Sequence, residues 1–127
     1  MPENHLFEYA IIRIVPKVER EEFLNVGVIL YCQKQNFLAI KYLLNEERLC
    51  SFSDTVDVPE LQEYLSAFEK ICKGDKDAGP IGLLDTASRF RWLTATRSTV
   101  VQTSKVHPGL CEDAKEELTR LYAQQVL

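Results

Sequence analysis

Residues 25–33 read NVGVILYCQ, a run in which nothing from Val26 to Cys32 is charged. A strand with one wet face alternates apolar with polar residues, whereas a strand covered on both faces does not. The run therefore predicts a central strand of a sheet, covered above and below. Gly27 interrupts it where Val or Ile would fit, which points to a bulge or to the close approach of another backbone or a ligand. Asn25, just ahead, is grouped with Gly27 as a candidate binding position.

Downstream, KQN (34–36) is a tight turn into FLAIKYL (37–43), so these two strands form a hairpin. Upstream, LFEYAIIRIV (6–15) is rich in aromatic and β-branched residues, which suit a pleated surface, and Pro16 ends it. The intervening PKVEREEF (16–23) has room for one helical turn or a charged loop but not for a parallel crossover, so an antiparallel meander follows. The mixed charges of Glu19 to Glu22 read as a solvated turn, not as paired carboxylates for catalysis or a divalent cation.

The periodicity then changes. Residues 43–57 predict a short helix and a loop. VPELQEYLSAFEKICKG (58–74) sets Val58, Leu61, Leu65, Phe68 and Cys72 on one stripe at helical spacing, with Pro59 suited to the first turn and Gly74 to the stop. KGDKDAGPIG (73–82) is a breaker-rich loop. LLDTASRFRWL (83–93) predicts a helix burying Leu83, Ala87, Phe90 and Leu93. CEDAKEELTRLYAQQVL (111–127) predicts a last helix burying Ala114, Leu118, Leu121 and Tyr122. With a short strand at TVVQT (99–103), the fold class is α+β: an antiparallel sheet of three to four strands packed with three to four helices, one domain over 1–127.

At 127 residues, 46% apolar and 27% charged, the chain has the size and composition of a globular domain that folds without staples or metal. A net charge of −4 argues against a duplex nucleic acid partner, which needs clustered Lys and Arg. Cys32, Cys50, Cys72 and Cys111 lack the short spacings of zinc or redox motifs, and the start MPENHLFEYA lacks a basic, apolar secretory signal. Free thiols in a reducing cytoplasm are expected. The longest apolar run, VGVILYC, is far short of a membrane span.

RFRWLTATRSTVVQTSKVHPGL (89–110) holds the only tryptophan, three arginines and six hydroxyl side chains, with no acid. Arg89, Arg97, Ser98, Thr99 and Lys105 could hold a phosphate or carboxylate, since guanidinium forks match such oxyanions. The arginines could equally pair with Glu112 or Glu116 of the following helix. Ser98 or Ser104 with His107 as base would be a hydrolytic pair, but no nucleophile elbow accompanies them. His107 and Cys111 are too few for a metal, and Pro108 and Gly109 break the helix that would align them. Trp92 reads as a core aromatic or as a partner anchor at the edge of the core. No catalytic residue, metal or cofactor is assigned. The candidate binding residues are Arg89, Trp92, Arg97, Ser98, Thr99, Gln102, Ser104 and His107, with Asn25 and Gly27, and the segment is expected to cross the sheet's exposed end or edge near Gly27.

Taken together, FEYAIIRIVPKVEREEFLNVGVILYC (7–32) and FRWLTATRSTVVQTSKVHPGL (90–110) resemble a bacterial family, domain of unknown function 3037. The match in the first motif is Asn25 to Val28. In the second it is Arg89, Trp92, Leu93, Arg97, Ser98, Thr99, Gln102, Ser104, His107, Gly109 and Leu110, with Thr96 standing where the family has proline. The resemblance implies no activity. It does imply a partner, because members are encoded beside a kinase-like toxin of the HipA type. The leading expectation is a non-enzymatic accessory or antitoxin-like protein that docks on such a kinase. The alternative is a nucleotide- or phosphate-binding module, as part of a small hydrolase or nuclease.

Overall fold

The computed structural model describes residues 4–20, 22–53, 55–97 and 99–127. Strands β1 (His5–Ile14), β2 (Leu24–Cys32) and β3 (Phe37–Tyr42) form the antiparallel meander, with β2 between the other two. The hairpin closes at Asn36, whose φ of 49° lets its N–H donate to Gln33 O. Along the far side of β1 run two short strands in succession, β4 (Val101–Thr103) against Ile12–Ile14 and β5 (His107–Cys111) against His5–Tyr9. The sheet therefore has five strands, one more than the upper expectation.

Pro108 and Gly109 made β5 read as a loop, and the pairing explains why they are tolerated. The Ser104 N–H donates to Ile11 O, so the odd residues of β1 turn their polar groups toward this edge. Pro108 lies opposite even-numbered Glu8, and its missing N–H thus falls on the free outer side of the strand. Gly109 lies opposite Phe7, and a Cβ there would come within 2.5 Å of the phenyl ring.

The apolar run of β2 is covered on both faces, as its sequence demanded. Helices α1 (Glu46–Phe52), α2 (Val58–Lys73) and α3 (Thr86–Leu93) enclose one core with Ala10, Ile12, Ile14, Val26 and Ile29. Helix α4 (Ala114–Gln125) closes a second core with Phe7, Ile11, Val28, Leu30 and Cys32. Asn45, Asp57, Asp85 and Asp113 cap these helices, each accepting a first-turn backbone N–H. Gly74, at φ 68°, ends α2.

Leu83 was expected in the α3 stripe but is 78% exposed, because Asp85 starts the helix later and leaves Leu83 in a 3-10 turn. Tyr122, Val58 and Ala87 are half-buried rather than buried. The run Glu19 to Glu22 begins inside a 3-10 turn at Val18–Arg20, and Arg20 pairs with Glu22, while Glu21 lies outside the described residues. All four cysteines are free thiols. Burial pushes Cys72 up to about 12, and burial with Cys32 and Glu117 nearby pushes Cys111 up to about 11.

Candidate functional site

Arg89 lies on α3 with its guanidinium aimed at the end of α2. Nη1 donates to Ile71 O at 2.9 Å and Cys72 O at 2.8 Å, and Nη2 to Thr86 Oγ1 at 3.2 Å. The last carbonyls of a helix lack intrahelical donors and carry partial negative charge, so a cation there satisfies both needs. Arg97 does the same for its own helix, donating through Nη1 to Leu93 O at 2.8 Å and through Nη2 to Trp92 O at 2.6 Å. Neither arginine reaches Glu112 or Glu116; the ion pairs among the described residues are Arg20–Glu22, Lys73–Glu69 and Arg120–Glu117. The expected carboxylate pairing gives way to helix capping.

Arg97 has a second contact. Its guanidinium lies 4.6 Å from the centre of the Trp92 ring and 5.4 Å from that of Phe68, and Trp92 meets Phe68 edge-on at 6.5 Å. Trp92 keeps 38% of its surface exposed on this support. It is an edge residue with a fixed base.

The hydroxyls are spent on the backbone. Thr99 Oγ1 donates to Val101 O at 2.7 Å, and Gln102 Nε2 donates to Thr99 O at 2.8 Å. Ser104 sits where the edge passes from β4 to β5 with one residue too many to match β1. There its Oγ accepts the Ile11 N–H at 2.8 Å, replacing the ladder carbonyl displaced by the bulge, and donates to Lys105 O at 2.9 Å. That leaves Ser104 no bond with His107, whose exposed ring rests 5.3 Å from that of Tyr9. Ser98 lies outside the described residues.

The segment does form an edge of the sheet, but not beside Gly27, from which β1 separates it: Ile12 pairs with Gly27 on one side and Thr103 on the other. The neighbour that Gly27 admits is its own hairpin partner, since a Cβ would lie 2.8 Å from Lys41 O and 2.9 Å from Tyr42 Cβ. The expected bulge is present, with Val26 the extra residue between Asn25 opposite Arg13 and Gly27 opposite Ile12.

The sheet unites two distant candidates around a third residue that the sequence reading overlooked. Arg13 pairs directly with Asn25 on β2 and with Gln102 on β4. The signal was there: a cation in a strand whose same-face neighbours are Ile11 and Val15.

A family model described as Protein of unknown function (DUF3037) matches residues 9–126. The chain belongs to this family. Comparisons with curated proteins and with solved structures gave no match. In this DUF3037 domain no described helix is long and apolar enough to cross a membrane, and no described His, Cys, Asp and Glu side chains group as metal ligands.

Proposed function

We propose that this chain is a non-catalytic interaction protein of the cytoplasm that docks on a protein partner through the Trp92–Arg97 corner, and that the partner is a HipA-type kinase, as the family resemblance implies. One observation carries the reading: Trp92 is 38% exposed yet packed against both Arg97 and Phe68. A rigid, partly exposed tryptophan beside an arginine buries much area at little entropic cost, the composition of interface hot spots. Phosphate binding at Arg89, Arg97 and Thr99 draws less support, because their donors are already engaged with backbone carbonyls.

The test is to look for a HipA-type kinase gene beside this one and to co-purify its product with this chain, followed by calorimetry of the complex. Trp92→Ala should weaken binding by at least about 1 kcal/mol while the melting temperature holds, the scale at which interface residues contribute. Unchanged affinity in a Trp92→Ala, Arg97→Gln double variant would move the interface elsewhere. A genomic neighbourhood without such a kinase would remove the partner assignment.

A further inference from the structure

We propose that the row Gln102–Arg13–Asn25, on the half of the sheet that α4 leaves open, binds an oxyanion with a hydrogen-bond donor beside it: a phosphate bearing an O–H, or a carboxylate next to an amide N–H. This site is separate from the Trp92 corner and does not depend on it.

Directly paired residues of antiparallel strands share a face with their Cβ atoms about 4.5–5.5 Å apart, so the three side chains stand shoulder to shoulder across β4, β1 and β2. Helix α4 packs on β2 and β3 rather than on this stretch of β1 and β4. The row lies between Ile11 and Val15, both buried, and the Arg13 guanidinium sits 3.9 Å over the Phe23 ring. Arg13 makes no hydrogen bond and no ion pair among the described residues, and its Nε is buried without a partner. Burial also lowers its pKa. A partly desolvated cation without a counter-charge is costly, and an added oxyanion would remove that cost.

The chemistry on either side of the fork narrows the ligand. Asn25, paired with Arg13 across the strands, donates through Nδ2 to Gln125 O at 3.2 Å, and its buried Oδ1 has no partner. Gln102 Nε2 is held by Thr99 O, leaving Oε1 as its other polar atom. The row thus offers a two-pronged cationic donor between two acceptors. A bare anion would meet repulsion from those acceptors, whereas one with an adjacent O–H or N–H would satisfy all three. Asn25 also lines a cleft of about 270 Å³ with Arg48, Leu49 and Val126, and the cleft presents no Asp or Glu side chain among its described lining residues.

The experiment follows the Arg13 Nε–H resonance of the full chain by NMR during titration with inorganic phosphate, N-acetylglycine and acetate. Phosphate or N-acetylglycine should shift that resonance with roughly millimolar affinity. Acetate, which has no donor, should bind at least about tenfold more weakly, the equivalent of one charge-assisted hydrogen bond. The tighter of the two donor-bearing probes identifies the source of the oxyanion. Asn25→Asp and, independently, Gln102→Glu should abolish binding by giving Arg13 an internal carboxylate, while Trp92→Ala should leave it unchanged. The proposal is overturned if neither donor-bearing probe moves the resonance at about 20 mM, a concentration well above a millimolar dissociation constant. It is equally overturned if acetate binds as well as N-acetylglycine, or if either folded carboxylate variant binds like the parent.

Discussion

Arg89 and Arg13 are both half-buried, yet they sit in opposite electrostatic settings. Arg89 donates through both Nη atoms to the end of α2 and to Thr86, whereas the Arg13 side chain donates to nothing among the described residues, and the Nε of each is buried without a partner. The difference lies in what each kind of secondary structure has to spare. A helix end exposes carbonyls that no N–H of the helix can reach, so a cation placed there finds partial negative charge without any carboxylate. An interior strand has already used its carbonyls in the ladders on both sides, and a cation on its face must look to another side chain or a ligand.

The widest separation between the two settings should come from Arg89→Ala. It orphans the Cys72 carbonyl and leaves Ile71 O with the Gly74 N–H alone, and hydrogen bonds to charged groups are worth about 1.5–3 kcal/mol each, so a loss of about 2–3 kcal/mol is expected in urea denaturation. A loss below about 0.5 kcal/mol would mean the helix end does not need its cation, and the contrast would collapse. Ser104→Ala probes the other side of the comparison, the completeness of the ladder. It leaves the Ile11 N–H without its acceptor and should cost about 1–2 kcal/mol, whereas a neutral result would show that the bulge is satisfied without the hydroxyl.

Cys72, at the end of α2 that Arg89 caps, sharpens the comparison through pH. Its folded pKa is raised above the ordinary value, so its contribution is intact at neutral pH and is lost as the unfolded chain begins to ionise first. Stability should fall as pH rises from about 9 to 10, by roughly 1 kcal/mol from Cys72 and a similar amount from Cys111, so Cys72→Val should about halve that slope. An unchanged slope in the variant would place the alkaline sensitivity elsewhere. The smallest effect belongs to Arg13→Met. With no hydrogen bond or ion pair to lose among the described residues, and a thioether able to keep the contact over Phe23, the change should fall within about 0.5 kcal/mol of the parent or stabilise it, since replacing an unpaired charge by an apolar side chain is often favourable. A loss above about 1.5 kcal/mol would reveal an internal partner and undo the comparison.

Much of the architecture was legible because it rests on local patterns. The unbroken apolar run of β2, the turn at 34–36 and the stripe of α2 with Pro59 and Gly74 each carry a physical reason inside a few residues. The reading failed where the reason lay in a partner strand. β5 looked like a loop because Pro108 and Gly109 break isolated elements, and only opposite Glu8 and Phe7 do they become an outward-facing proline and a seat for a ring.

The candidate residues divide along the same line. That Arg89, Trp92, Arg97, Thr99, Gln102, Ser104 and His107 belong to one chemically distinctive segment was plain from composition. Whether each donor is free or spent was not, because a hydrogen bond to Ile71 O or Ile11 N–H is made across 18 or 93 residues of sequence. The sequence by itself determined the element types other than β5, the central place of β2 and the family, since each follows from periodicity, turn chemistry or a linear match. The tertiary structure alone decided that Asn25 and Gln102 flank Arg13, because strand register sets cross-strand neighbours and is fixed by the packing of both faces.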